Sequence, residues 1–372
     1  MIDSRDVLAA ISRQTDAIRA TTQFVHEHPE LGHEEHGCAR HLCDVLTSAG
    51  LEVEPGVGGM ETAFRASLHG ERPGRTVGLV CLYDAVTAVR PGGQVEPVHS
   101  CGHGPIAGAV VGAALALAEL RQGLAGTVVV MGCPSDEIHA PGSIARGGGK
   151  ALSAEAGLWD DVDAALYAHP EFIDTVSLES RWMQRAVATV SGSRSLATAD
   201  QPPLEAALAA LESARAHVPD DLMLEALELD GDVEEGTGLV LRATFLVFAD
   251  AADDIEPRLA TLRAAVPQAR WELGRVVEAV RPDDHVTAAV AGAFDILGRD
   301  FVSNPPRLPF ATDFGNISRR CPAALIGVGR EGGWAFHTDE GAAQFASPDG
   351  EAAALTIAQV LALATADLSE PR

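Results

Sequence analysis

A cysteine and a histidine stand two residues apart, Cys101 and His103, in the stretch VHSCGHG. They sit among glycines, just before a long run of alanine, glycine and valine. Such a pair serves a metal, serves as a nucleophile with its base, or serves neither. Other chemistry-bearing residues recur at the ends of apolar runs. TVGLVCLY ends at Asp84, TVVVMGC runs into Cys133-Pro134-Ser135-Asp136-Glu137, and VDAALYA runs into His169. GWAFHTDE adds His337 near the last helix, after TDFGNIS at Thr312 to Ser318. Taken singly, each is weak, because a histidine at a strand end is more often hydrogen-bonded structure and an Asp-Glu pair more often a solvated turn. Their recurrence at one sheet edge is what carries meaning, since ligands of open α/β sheets bind outside the carboxyl ends of the strands. Cys101, His103, Glu137, His169 and His337, with the spare acids Asp84 and Asp136, suit two transition-metal ions better than one closed zinc site. The nucleophile reading of Cys101 fits less well: two residues apart in a tight loop, both side chains point to one centre rather than base to nucleophile.

The elements that position these residues follow from periodicity. Apolar spacing predicts a helix from Val7 to about Phe24 and another from about Glu35 to Ser48. TAFRASLH, TVGLVCLY, TVVVMGC and VDAALYA read as strands, with a helix from Ile106 to Leu120 between two of them. Strands alternating with helices predict a layered α/β domain with a central sheet flanked by helices. After about Ser177 the order becomes strand, helix, strand, strand, helix, strand, the ferredoxin-like α+β arrangement. A helix near Val286 to Leu297, a strand at AALIGVG and a last helix from about Asp349 then resume the first pattern. The chain is therefore divided into a catalytic domain, 1–178 and 285–372, and an inserted lid and dimerisation domain, 179–284.

Gross properties narrow the function further. The 372 residues favour two domains, and 47% hydrophobic residues suffice for a full core. A formal net charge of −26 argues against nucleic acid and anionic membranes as partners. No uninterrupted apolar run reaches bilayer length, and MIDSRDVLAA has no basic stretch leading into an apolar one. Six scattered cysteines form no disulfide framework. These observations predict a soluble, cytoplasmic protein. Lys150 is the only lysine, which reads as a coding bias toward arginine.

The order of motifs resembles the peptidase family M20 amidohydrolases, in the aminoacylase and aminobenzoyl-glutamate hydrolase-like branch. The matching stretches are HPELGHEE, LYDAV, HSCGHG, CPSDE, GGGKAL, DDVDAALYAHP and TDFGNIS, closed by His337. The resemblance implies a co-catalytic pair of divalent ions, zinc, manganese or cobalt, held by Cys101, His103, Glu137, His169 and His337. It implies Asp136 as general base and Asp84 as an acid supporting the metals from behind. Asn316, Thr312 and Arg194 are the candidate substrate-binding residues, Arg194 as a source of positive charge in the lid. The implied activity is hydrolysis of a small N-acyl amino acid, dipeptide or related amide by a homodimer paired through the lid. The alternative is a diverged relative that keeps the metal site but runs another reaction on a specialised metabolite, or only binds a ligand. Three departures motivate it: Asp136 where the family usually carries glutamate, VEEGTG at Val233 to Gly238 where relatives carry an Asn-x-Ile-Pro turn, and Leu196 where relatives carry a lid histidine; Gly104, where an acid or asparagine usually follows, is a further departure.

Overall fold

The computed structural model describes residues 2–192, 203–216, 220–232 and 237–371. The chain separates into two compact units. The first comprises Met1–Glu179, Val280–Arg307 and Asp313–Arg372, and the second Ser180–Ala279 and Leu308–Thr312.

The first unit is built on a six-stranded sheet in the order Glu52–Pro55, Phe64–His69, Ala125–Gly132, Arg72–Cys81, Ala164–Glu171, Ala323–Gly329. The last four strands run parallel, and the first two add on antiparallel. The runs VVVMG and VGLVC are buried throughout, as expected of parallel strands covered on both faces. Parallel pairing sends every one of these four strands out at the same edge, so the residues that follow them emerge together.

One covering helix, His103–Glu119, is apolar almost all round and buried along most of its length. Glycine at every fourth position makes it narrow on one side. A Cβ on Gly104 would lie 2.9 Å from the Thr22 carbonyl, one on Gly108 2.1 Å from Thr22 Oγ1, and one on Gly112 2.3 Å from Ile18 Cγ1. Gly104 is therefore a packing residue: its missing side chain admits the helix Thr15–Glu27. The helix Pro348–Leu368 is, by length and composition, able to cross a membrane, yet most of its apolar stretch is buried within the protein. That is how the core helix of an α/β layer reads, although the sequence suggested no run of that length.

The predicted helix from Val7 to Phe24 is two helices, Ser4–Arg13 and Thr15–Glu27. Neither glycine nor proline breaks it. Gln14 leaves the helical region at ψ 6°, and Thr15 Oγ1 donates to the Ser12 carbonyl at 2.9 Å. Local side-chain bonding of this kind competes with the helical ladder.

The second unit has a four-stranded antiparallel sheet in the order Arg270–Val277, Trp182–Gly192, Thr237–Ala249, Leu222–Asp232. Helices Pro203–Ala216 and Ile255–Ala265 complete the strand-helix-strand-strand-helix-strand order. Its core joins Ala186, Ala188 and Val190 to Leu211, Leu259 and Leu262. Strand Leu222–Asp232 lies at one edge and exposes Met223, Leu227 and Leu229, each about half accessible.

Candidate metal centre

Three strand ends and one helix start converge. Asp84 follows the strand Arg72–Cys81, Asp136 and Glu137 follow Ala125–Gly132, and His169 lies near the end of Ala164–Glu171. His103 begins its helix behind Gly102, which has φ +96° and serves as the N-cap. A Cβ on Gly102 would lie 2.9 Å from Pro170 Cγ and 3.0 Å from Phe345 Cε1. Both the left-handed backbone and the crowding require glycine there. His337 also has a left-handed backbone, φ +60°, and its N–H donates to the Ser100 carbonyl at 2.9 Å. A non-glycine residue held in this region is characteristic of sites whose surroundings fix it.

The five donors predicted from sequence meet in two groups that share one atom. Cys101, His103 and His169 offer ligand atoms all within 4.8 Å of one another, and so do Cys101, Glu137 and His337. Cys101 Sγ lies 3.3 Å from His337 Nε2 and 3.7 Å from His169 Nε2. His337 Nε2 lies 3.6 Å from Glu137 Oε2. The His337 side chain is about half exposed, so the pocket opens to solvent on that side.

Behind this layer stand the groups that orient it. His103 Nδ1 meets the Asp84 carbonyl at 2.7 Å and Asp84 Oδ1 at 3.0 Å. The other carboxylate oxygen of Asp84 accepts from the Glu137 N–H at 3.0 Å. One fully buried aspartate thus sets two of the donors, the usual outer-shell arrangement for a ligating histidine. His169 Nδ1 is likewise turned back, 2.6 Å from the Pro170 carbonyl and 3.5 Å from Glu171 Oε1. The inner nitrogens of both rings therefore face the pocket.

The electrostatics follow from burial and crowding. Burial pushes the Cys101 thiol up, but hydrogen bonds with His103, His169 and His337 outweigh it and hold the thiol well below its ordinary value. Burial opposes the His103 imidazolium, and Asp84 more than compensates, so its pKa is raised. His169 rises to about 9, Cys101 and Glu171 overcoming burial. Glu137 is pushed well above the carboxylate range, first by burial and then by the Cys101 charge. Asp84 is lowered, its own burial being outweighed by His103.

The residues fit divalent cations. Glu137 Oε1 is buried without a hydrogen-bond partner, and the buried His103 Nε2 stands 3.8 Å from it, both facing the pocket. Orphaned buried polar atoms are costly unless something ligates them. A thiolate, three imidazoles and a carboxylate form a mixed soft-to-borderline set of the kind first-row transition ions take.

Asp136 lies beside this set, its Oδ2 3.3 Å from His103 Nε2 and its Oδ1 paired with the Lys150 ammonium. Asn316 is buried in the short helix Phe314–Ser318. Thr312 groups with the second unit. Arg194 and Leu196 lie outside the described residues, as does most of the turn 233–238.

Three residues at the site have no role in a reading of the sequence alone. Lys150 is fully buried against Asp136 and Asp313. Glu35 is also buried and accepts from the Ser135 N–H and from Thr62 Oγ1, each at 2.8 Å. Burial and the neighbouring Asp84 raise its pKa to about 8. It holds Ser135, whose φ is +58°, one residue before Asp136. Asp313 is the third, 2% exposed. Glu35 in HPELGHEE and Asp313 in TDFGNIS carry no periodic signal that marks them as interior, whereas a lone lysine after three glycines is open to notice.

Comparison with known proteins adds to this geometry. One of the subunits of the p-aminobenzoyl-glutamate hydrolase of Escherichia coli (strain K12) is 38% identical over 177 residues, 42% of this chain and 34% of that protein. The matched stretch thus spans about a third of that relative's length. Among solved structures, an aminobenzoyl-glutamate utilization protein from Klebsiella pneumoniae superposes with a TM-score of 0.72 at 14% identity, covering 98% of this chain and 100% of the other. A dinuclear metal-binding peptidase of family M20 from Bacillus subtilis gives 0.68 at 18% identity, covering 97% and 99%. At such identities the structural likenesses speak to fold. A family model spans residues 83–362, from the strand end that carries Asp84 to the last helix. The chain belongs to peptidase family M20/M25/M40.

Proposed function

We propose that the protein is a metal-dependent amidohydrolase that cleaves the amide bond of a small N-acyl amino acid, dipeptide or related amide. The observation that carries this reading is the position of Cys101, whose sulfur is common to two donor groups with Asp136 beside them. The name of the Escherichia coli relative, a subunit of p-aminobenzoyl-glutamate hydrolase, supports the substrate class.

Cys101, His103 and His169 on one side, and Cys101, Glu137 and His337 on the other, would hold two divalent ions. Bound there, such ions polarise a carbonyl and make water a nucleophile near neutral pH. Asp136 acts as the general base: Oδ2 takes a proton from the attacking water and delivers it to the amine nitrogen as the C–N bond breaks. Asp84 keeps the His103 ring oriented, with Nδ1 turned away from the pocket. We assign Asn316, Thr312 and Arg194 to substrate binding. Zinc, manganese and cobalt all suit the donor set.

Exhaustive dialysis against a chelator is expected to abolish turnover of N-acyl amino acids, and added zinc, manganese or cobalt to restore it. Elemental analysis is expected to find about two equivalents of metal per chain, as a binuclear site requires. Full activity in protein shown to be metal-free would overturn the reading.

The reading extends to the second unit as a lid and dimerisation module, and to a cytoplasmic location. All six cysteines are free thiols, which suits a reducing compartment. The apolar edge strand with Met223, Leu227 and Leu229 is the surface we assign to the dimer. Long apolar edges are commonly covered by another strand. Light scattering is expected to give twice the chain mass, and Leu227→Lys with Leu229→Lys to give a monomer. A monomeric parent protein would refute the dimer.

A further inference from the structure

Lys150 is the chain's only lysine and none of it is exposed. It lies in the first turn of the helix Gly149–Glu155. Its ammonium meets Asp136 Oδ1 and, at 2.8 Å, Asp313 Oδ1, with the Tyr167 ring centre 5.3 Å away. The glycines before it draw this turn inward. A Cβ on Gly149 would lie 2.1 Å from the Pro134 carbonyl, and one on Gly148 2.2 Å from Asp313 Oδ2. The lysine is thereby delivered to the loop that carries Asp136.

One carboxylate neutralises one buried ammonium. Asp313, buried and also accepting from the Ala151 N–H at 3.0 Å, already fills that role. The contact with Asp136 therefore exceeds what charge balance requires, and its consequence is geometric. It occupies Oδ1 and leaves Oδ2 toward His103 Nε2.

We propose that Lys150 is a positioning residue for Asp136, holding one carboxylate oxygen so that the other faces the metal pocket. The inference rests on the assignment of Asp136 as base, and two independent readouts separate the two claims. With lysine labelled by 15N, the metal-loaded protein holds a single side-chain ammonium to observe. Its signal is expected to exchange slowly with water and to move on Asp136→Asn as well as on Asp313→Asn. A signal that responds to Asp313→Asn alone, or one lost to fast solvent exchange, overturns the proposal whether or not any substrate is turned over.

The second readout is a double-mutant cycle. Lys150→Met alone leaves Asp313 as an unpaired buried charge, so Lys150→Met is combined with Asp313→Asn to remove both charges together. This pair is expected to lower kcat about a hundredfold, the cost of a misplacement near 1 Å. KM is expected to stay within about threefold, with metal content unchanged. Placed on Asp136→Asn, the same pair is expected to cost less than about threefold further. An equal loss in both backgrounds, or loss of bound metal, assigns Lys150 to structure alone. Absence of amide turnover in the parent protein would instead remove the proposed function and leave the lysine signal to decide.

Discussion

Exchange of Cys101 for serine is expected to take bound metal from about two equivalents to one or none and to lower amide turnover by at least about a thousandfold. The size of the effect follows from the shared position of the sulfur. Every other donor belongs to one group, whereas Cys101 belongs to both. Serine has nearly the same shape, so the turn between Ser100 and Gly102 is preserved. Its hydroxyl does not ionise near neutral pH, and a neutral oxygen replaces a soft anionic ligand. A substitution behind the ligands gives a useful scale: removal of an outer-shell partner such as Asp84 is expected to cost only about ten- to a hundredfold in metal affinity. Metal analysis after gel filtration, run beside kinetics, checks both quantities. It also separates ligation from nucleophilic catalysis. If Cys101 attacked the substrate itself, the serine variant would lose turnover with its metal content intact.

The parallel core of the fold is written plainly in the sequence, because buried parallel strands are continuous apolar runs and a short signal suffices for each. TVGLVCLY, TVVVMGC and VDAALYA lie where periodicity puts them, and with them come Asp84, Glu137 and His169. The hairpin Val86–Val89 with Val95–Val98 is not legible. Its strands, VTAV and VEPV, have four residues each, too short for alternation to stand out from the loop around them, and a proline in the second argues against a strand. The split of the first helix is hidden for a different reason: a threonine hydroxyl bonding back to Ser12 breaks the ladder without any residue that sequence rules treat as a breaker.

The site divides in the same way. Donors that sit at strand ends inherit their positions from the sheet, and these are recoverable. Lys150, Asp313 and Glu35 act through tertiary contacts across 14 to 163 positions of sequence separation, and no local pattern records such contacts. Lys150 is the only lysine among 27 basic residues, and a single lysine among arginines is informative. Arginine's planar fork is larger and differently directed, and an enclosed space between two carboxylates and a tyrosine ring suits a compact ammonium.

Asp136 is where the two accounts of this protein diverge, and substitutions there decide between them. Asp136→Asn is expected to lower kcat by about a hundred- to ten-thousandfold, the usual contribution of a general base, while leaving about two equivalents of metal in place. Asp136→Glu tests the departure from the family pattern. If the chain had drifted away from hydrolysis, restoring the longer acid would raise turnover of ordinary acyl amino acids. The geometry argues for the opposite result. Lys150 holds one oxygen and His103 Nε2 stands 3.3 Å from the other, so the carboxylate is already spanned on both sides. An added methylene moves the carboxylate by about 1.5 Å, and one of the two contacts has to break. Turnover of Asp136→Glu is therefore expected to fall about ten- to a hundredfold with KM and metal content little changed. A gain in turnover would show that aspartate and lysine are not a matched pair, and would favour a chain whose metal pocket has been turned to another use.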